Sequence, residues 1–320
     1  GPKVLATGPL DAYAESVLRR FGSYVVAPDT KPQTLAGLMD EDVIALAIRG
    51  TPPIGDELLA RAPNLKVMGR TGVGFDNVDV AAATRRGIPL VYAPGAGARA
   101  VAEAALTFML ALSKLVVHWD RELKAGRWTS RFASQGRDLD GATLGIVGFG
   151  RIGRILADMA RPFAMTVLAC DPAMDEAKAK ELGVETTSLE DLLARSDFVS
   201  LHCPMSPETR GLIDRDRIAR MKPGAYLINT ARGGVIDNLD ILDEALGSGQ
   251  LAGVALDVFD PAPPDVSHPL FRRENVLCSP HSMATTQAAM TRIFRSMADD
   301  MAAHLEGRRP LHVVNPETLG

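Results

Sequence analysis

Along the first ninety residues, short β-branched runs alternate with stretches whose apolar positions recur every three or four residues. KVLAT, SYVVA, VIALAIR, LKVMGR and PLVYA are the strand-like runs, and AYAESVLRRF, TLAGLMDE, GDELLARA and VDVAAATRRG separate them. Strands alternating with helices build a parallel sheet covered on both faces, so this portion predicts one α/β domain. From about Ala98 a helical pattern, RAVAEAALTFMLALSKLVVHWDRELKAG, continues without an obvious stop. It far exceeds a mean helix of about 11 or 12 residues and predicts one long helix with apolar surface to spare. After the polar stretch TSRFASQGRDLDG the alternation resumes in ATLGIVGFG, TVLACDP, FVSLHCP, AYLINT, LAGVALDVF and NVLCSP. Six strands with intervening helices predict a second doubly wound sheet. The segment TQAAMTRIFRSMADDMAAHLEG then predicts one amphipathic helix closing at Gly307.

Length agrees with this division, because 320 residues suit two domains rather than one core, and two domains imply a cleft. The 35 basic and 39 acidic residues are interspersed and leave a net charge of −4, without the basic footprint that nucleic-acid binding needs. The longest apolar stretch, ALTFMLALSKLVV, is broken by Lys114 and falls short of the roughly 20 residues of a membrane span. With no secretory leader pattern at its start, the chain is expected to be soluble and cytoplasmic, with no membrane partner. Three cysteines, Cys170, Cys203 and Cys278, are an odd number without metal-ligand spacing. They predict reduced thiols serving as small buried hydrophobes, and no metal site.

The chemistry begins at the strand GIVGF, which leads into Gly148-Phe149-Gly150-Arg151-Ile152-Gly153 and then into a helix. That context fits a dinucleotide fingerprint, with a tight turn at Gly148, close backbone approach to a pyrophosphate at Gly150, and tight helix packing at Gly153. The free N–H groups of the helix start would face the pyrophosphate. The next strand ends in Asp171, eighteen positions after Gly153, where a carboxylate can accept both ribose hydroxyls and repel a 2′-phosphate. NAD is therefore expected rather than NADP. A turn-forming role for Asp171 before Pro172 is the alternative.

With this fingerprint in the second half of the chain, the sequence resembles the D-isomer-specific 2-hydroxyacid dehydrogenases, in particular their short phosphoglycerate dehydrogenase-like branch. The resemblance spans essentially the whole chain and rests further on GRTGVGFDNVD (69–79), HCPMSPETRGLI (202–213), NTARGGVID (229–237), ALDVF (255–259) and SPHSMATT (279–286). It implies two doubly wound parallel-sheet domains. Residues 3–97 with 286–320 would form a flavodoxin-like substrate domain, and 98–285 an inserted Rossmann NAD domain. The long helix and arm, about 98–140, would serve dimerisation in a homodimer. The chain ends soon after its last helix, so no regulatory domain is expected.

The resemblance also implies an NAD-dependent interconversion of a 2-hydroxy acid and a 2-oxo acid. That chemistry needs a cation on the carboxylate, a proton donor for the developing alkoxide and a fixed nicotinamide. Arg232 matches the family's carboxylate-binding arginine, and His281 its general acid and base. The backbone N–H groups of Gly72, Val73 and Gly74 match a second grip on the carboxylate. Asp257 matches the residue that bonds the nicotinamide carboxamide, and His202, Pro204, Thr209, Thr230 and Ala231 match positions around the cofactor. Arg49 and Arg70 align with arginines that, in phosphoglycerate dehydrogenases, meet the substrate's second anionic group, which points to a small anionic substrate with a distal phosphate, sulfonate or carboxylate, in the phosphoglycerate or hydroxypyruvate class.

The pattern breaks at one place. The family usually carries a glutamate five residues after the cofactor aspartate as the histidine's partner, and that position here is Ala262. A methyl group cannot accept an imidazole N–H, so a carboxylate's stabilisation of protonated His281 would be missing. Three readings stay open: another orienter for His281, as in formate dehydrogenases; a carboxylate from Asp260 or Asp265; or a chain that binds NAD without turnover, as an NAD-sensing interaction protein would. Met283 and Ala284 also replace the usual glycine pair after the histidine and would narrow the substrate pocket.

Overall fold

The β-branched and small apolar runs become parallel strands in a computed structural model that describes residues 1–72 and 74–320; Val73 lies outside the described residues. The chain divides into two compact units, Gly1–Gly97 with Thr285–Gly320, and Ala98–Ala284.

In the first unit β1 (Lys3–Ala6), β2 (Ser23–Val26), β3 (Val43–Ile48), β4 (Val67–Arg70) and β5 (Leu90–Val91) form a parallel sheet in the order β2-β1-β3-β4-β5. This is the flavodoxin-like order. Helices α1 (Ala12–Leu18), α2 (Pro32–Leu38), α3 (Asp56–Ala60) and α4 (Val80–Arg85) connect the strands. The buried runs on β1 and β3 pack on both faces, as their near-continuous apolar sequence requires.

The second unit starts with α5 (Ala98–Ser113) and α6 (Val116–Lys124). Its sheet contains β6 (Thr143–Val147), β7 (Thr166–Cys170), β8 (Glu185–Thr186), β9 (Phe198–Leu201), β10 (Ala225–Asn229), β11 (Leu251–Leu256) and β12 (Val276–Cys278). The order β12-β11-β10-β9-β6-β7-β8 places the topological switch between β6 and β9, the arrangement of a Rossmann sheet. Helices α7 (Arg151–Ala160), α8 (Glu176–Glu181), α9 (Leu189–Arg195), α10 (Arg215–Arg220) and α11 (Leu239–Ser248) cover it, and α12 (Gln287–Leu305) returns to the first unit.

Most helix starts were written in the sequence as capping residues. Asp11, Asp79, Asp175, Ser188, Asp214, Asn238 and Thr286 each accept a backbone N–H from the first turn of the helix they precede. The start of α7 is among those without such a cap: its N-cap is Gly150 and no side chain caps it.

Three expectations are corrected. The long helical pattern is two helices bent by 55°, because Leu115 is left-handed (φ 57°) and the Ser113 carbonyl accepts the N–H of Arg137 at 2.7 Å. The physical cause is the end of the core: α5 buries nine residues, whereas α6 buries none. The second sheet has seven strands rather than six, since the two exposed residues of β8 carry no apolar signal. Cys278, at the end of the edge strand β12, is exposed, so burial describes Cys203 and partly buried Cys170 but not Cys278. Among the described residues no single helix is long and apolar enough to cross a membrane.

Candidate functional site

The glycine turn is shaped by space. At Gly148 φ is +96°, and a Cβ there would lie 2.6 Å from the His202 carbonyl group. A Cβ on Gly153 would lie 2.3 Å from the Gly148 oxygen, so this glycine lets α7 sit against β6. Gly150 is the opposite case, for a Cβ on it would meet nothing within 4 Å. Open space at the uncapped start of a ten-residue helix is what an approaching pyrophosphate requires. Arg151 is exposed and Ile152 half-buried beside it.

This contrast gives a two-sided prediction. Gly153→Ala is expected to cost about 1 to 3 kcal/mol of stability through overpacking. Gly150→Ala is expected to change stability by less than about 0.5 kcal/mol, yet to weaken NADH binding by about tenfold or more by blocking backbone approach. Urea unfolding and an NADH titration on each variant separate the two effects.

Asp171 follows β7, and its carboxylate accepts Phe149 N–H at 2.7 Å and Ala173 N–H at 2.8 Å. The turn-forming role is therefore present, and it fixes the carboxylate against the glycine turn. Two further groups stand at the ends of neighbouring strands. His202 follows β9 and Thr230 follows β10, each one residue beyond the paired Leu201 and Asn229. The Nδ1 of His202 and the hydroxyl of Thr230 are buried without a partner among the described residues. Such atoms cost free energy unless something bonds them, and a polar ligand at the carboxyl ends of these strands would do so. With the open Gly150 and the carboxylate of Asp171, these residues fit a dinucleotide. Beside them, Thr209 builds the turn after Pro204, donating its hydroxyl to the Pro204 carbonyl at 2.6 Å and accepting Ser206 N–H at 2.8 Å.

His202 also shares a 2.7 Å hydrogen bond between Nε2 and the Ser200 hydroxyl. Burial pushes its pKa down from 6.5 to about 4, so the ring is neutral near pH 7. Because the unfolded chain takes up this proton first, stability is expected to fall as pH drops from about 6.5 towards about 4, by up to about 3 kcal/mol. Denaturation at pH 7 and pH 4.5 checks this, and His202→Gln should flatten the slope.

Arg232, Asp257 and His281 follow β10, β11 and β12, three adjacent strands. Asn229 organises the first loop: its Nδ2 donates to the Arg232 carbonyl at 2.9 Å and its Oδ1 accepts Ala231 N–H at 3.0 Å. The Nη1 of Arg232 donates to the Ala231 carbonyl at 2.8 Å. A Cβ on Gly233 would lie 2.1 Å from the Phe259 carbonyl carbon, so only glycine lets this loop rest against the chain after β11.

Asp257 is 4% exposed, and its Oδ1 accepts the Ser279 hydroxyl at 2.6 Å, Ser282 N–H at 2.8 Å and Met283 N–H at 3.4 Å. These donors bracket His281, whose φ of +53° and N–H bond to the Ser279 carbonyl at 3.0 Å define a sharp turn. A buried carboxylate thus cinches the turn that carries the histidine. Neither Asn229 nor Ser279 was singled out from the sequence. An asparagine ending a buried strand, and a serine two residues before the histidine, were the available signals.

The loop of Ala262 is exposed. Asp260 pairs with Arg210 at 3.0 Å, and Asp265 accepts the N–H and hydroxyl of Ser267. Met283 packs against the hydrophobic core of its own unit, so its bulk is spent there.

In the first unit, Arg70 ends β4 and donates to Asn77 Oδ1 at 3.2 Å and to the Thr71 carbonyl at 2.7 Å. Arg49 follows β3, donates to the Pro9 carbonyl and lies over the Phe294 ring at 5.2 Å. Gly72 adopts φ +118° with open space where a Cβ would be, and Gly74 is half-buried two residues on. Val73 falls outside the described residues.

Residues 106–283 match the family model for the D-isomer specific 2-hydroxyacid dehydrogenase, NAD binding domain. The chain is 39% identical over 310 residues to the D-3-phosphoglycerate dehydrogenase of Mycobacterium leprae, covering 95% of this chain and 58% of that protein. It is 39% identical over 298 residues to the glyoxylate reductase of Korarchaeum cryptofilum, covering 92% and 88%. The D-lactate dehydrogenase of Aquifex aeolicus, solved with NAD and lactic acid, superposes with a TM-score of 0.85 at 28% identity over 99% of this chain and 97% of that one. The chain thus spans a little over half the length of the phosphoglycerate dehydrogenases it matches. On its two parallel sheets, its glycine turn and these matches, the chain belongs to the D-isomer specific 2-hydroxyacid dehydrogenase family and carries that family's NAD-binding domain.

Proposed function

We propose that this chain interconverts a 2-hydroxy acid and a 2-oxo acid, using NAD, with His281 as general acid and base and Arg232 on the substrate carboxylate. The observation carrying this reading is the placement of Arg232, Asp257 and His281 at the ends of three adjacent strands, with Asp257 cinching the histidine turn. NAD supplies the hydride acceptor or donor. The chain's own residues do the rest. The Arg232 guanidinium grips the carboxylate through a planar pair of N–H donors and polarises the neighbouring carbonyl. His281 gives a proton to the oxygen that becomes the hydroxyl, and takes it back in the reverse direction.

Asp171 is proposed for the ribose, Gly148, Gly150, Arg151, Ile152 and Gly153 for the pyrophosphate, and Asp257 for the carboxamide. His202, Pro204, Thr209, Thr230 and Ala231 complete the cofactor surface. Gly72, Val73 and Gly74 offer backbone N–H groups to the carboxylate. Arg49 and Arg70 are proposed to bind a second anionic group, which favours a substrate of the phosphoglycerate type over its unphosphorylated hydroxypyruvate-type counterpart. A cytoplasmic homodimer belongs to the same proposal, supported by the exposed apolar side chains Val116, Val117, Leu123, Trp128 and Phe132.

The substrate class is tested by comparing kcat/KM for NADH-dependent reduction of phosphohydroxypyruvate, hydroxypyruvate, glyoxylate and pyruvate. A distal anion is expected to raise kcat/KM by about tenfold or more, with the gain lost in Arg70→Gln. Equal rates on all four acids would remove the second anionic group from the proposal.

A further inference from the structure

Asp171 is one of two carboxylates beside the glycine turn. Asp175 caps α8 with Oδ1, which accepts Lys178 N–H at 3.0 Å, and presents Oδ2 to Arg154 Nη2 at 3.5 Å. Arg154, from α7, also donates Nε to the Phe149 carbonyl at 3.0 Å, and its guanidinium lies 5.8 Å from the Phe149 ring. The N–H of the same Phe149 donates to Asp171. One residue of main chain therefore links a cation to the carboxylate assigned to the ribose. With 35% of Arg154 and 43% of Asp175 exposed, both side chains remain within reach of a ligand.

We infer that Asp175 and Arg154 form a second layer of cofactor selection, in which Asp175 occupies the guanidinium that would otherwise take a ribose 2′-phosphate. The inference rests on Asp171 standing at the ribose. A phosphate monoester carries a charge of about −1.5 to −2 at pH 7, so two carboxylates repel it and an arginine attracts it. Here the arginine is already matched. Removing the Asp171 charge alone leaves Arg154 tied to Asp175, whereas removing both leaves it held by the Phe149 carbonyl, with its terminal N–H groups available for bidentate phosphate binding.

The test is equilibrium fluorescence titration of the full chain with NADH and NADPH, for Asp171→Ser, Asp175→Asn, both together, and both with Arg154→Gln. Asparagine keeps the N-cap of α8, so the fold at that position is preserved, and retained NADH binding checks it. Asp171→Ser is expected to weaken NADH and tighten NADPH. Adding Asp175→Asn is expected to tighten NADPH by about a further tenfold while leaving NADH within about twofold. Arg154→Gln should abolish that further gain, and high salt should shrink it. The inference is overturned if the double variant binds NADPH no better than Asp171→Ser, or if Arg154→Gln leaves the gain intact. If Asp171→Ser changes neither cofactor, the placement of Asp171 fails and this inference falls with it.

Discussion

Replacing His281 by asparagine is expected to lower kcat for reduction of a 2-oxo acid by about a thousandfold, within the usual range of 10²–10⁴ for loss of a general acid, while NADH affinity stays within about twofold. Asparagine is chosen because His281 sits at φ +53°, a region asparagine tolerates, so the turn between Ser279 and Ser282 is kept. The Ser279 hydroxyl and the N–H groups of Ser282 and Met283 tie this turn to Asp257, and the substitution removes none of these three bonds. A drop in kcat with intact cofactor binding would therefore report proton transfer rather than a collapsed site. Steady-state rates and an NADH titration on the same preparation check it.

The direction of the pH dependence follows from the same role. In the proposed role reduction would use protonated His281, so its rate is expected to fade as pH rises and the ring loses its proton, while oxidation would use the neutral ring and is expected to rise over the same interval. Ala262→Glu would bring a carboxylate that stabilises the protonated ring. Both midpoints are then expected to move to higher pH. Unmoved profiles would show that position 262 has no bearing on the histidine in this chain.

Arg232→Gln is expected to reduce kcat/KM by about a thousandfold, because a bidentate, charge-assisted pair with the carboxylate is lost and the carboxylate is left without its cation. The loop itself should survive, since Asn229 holds it through the main chain of residues 231 and 232. Arg232→Lys should recover about tenfold of the loss, as a point charge without the planar fork. Equal kcat/KM in the native chain and Arg232→Gln would remove the arginine from the substrate.

What could be read from sequence was whatever has a local signature. Strand and helix alternation reported both sheets, and the spacing of Gly148, Gly150 and Gly153 reported the turn whose two tight positions and one open position the geometry resolves. The two residues of β8 were missed because they are polar and exposed, so pairing with β7 alone defines them. The break at Leu115 was missed because apolar periodicity continues past the point where there is core to bury it, and the N–H of Arg137 that competes for the Ser113 carbonyl is remote in sequence. The same holds for Asp257. ALDVF marked it as a cofactor residue, but its bonds to Ser279, Ser282 and Met283 link positions more than twenty residues apart. Asp260, one of the alternatives for the histidine's partner, pairs with Arg210 fifty residues away, a contact that no local pattern announces.

The central claim is that NAD held by this chain exchanges hydride with a 2-oxo acid, and the most direct measurement is single-turnover absorbance at the NADH band after mixing the NADH-loaded chain with each acid. Loss of bound NADH in proportion to enzyme, for at least one acid and slowed about a thousandfold by Arg232→Gln, is the predicted result. Tight NADH binding with no loss on any acid would contradict the claim and leave a chain that binds the dinucleotide without turning it over.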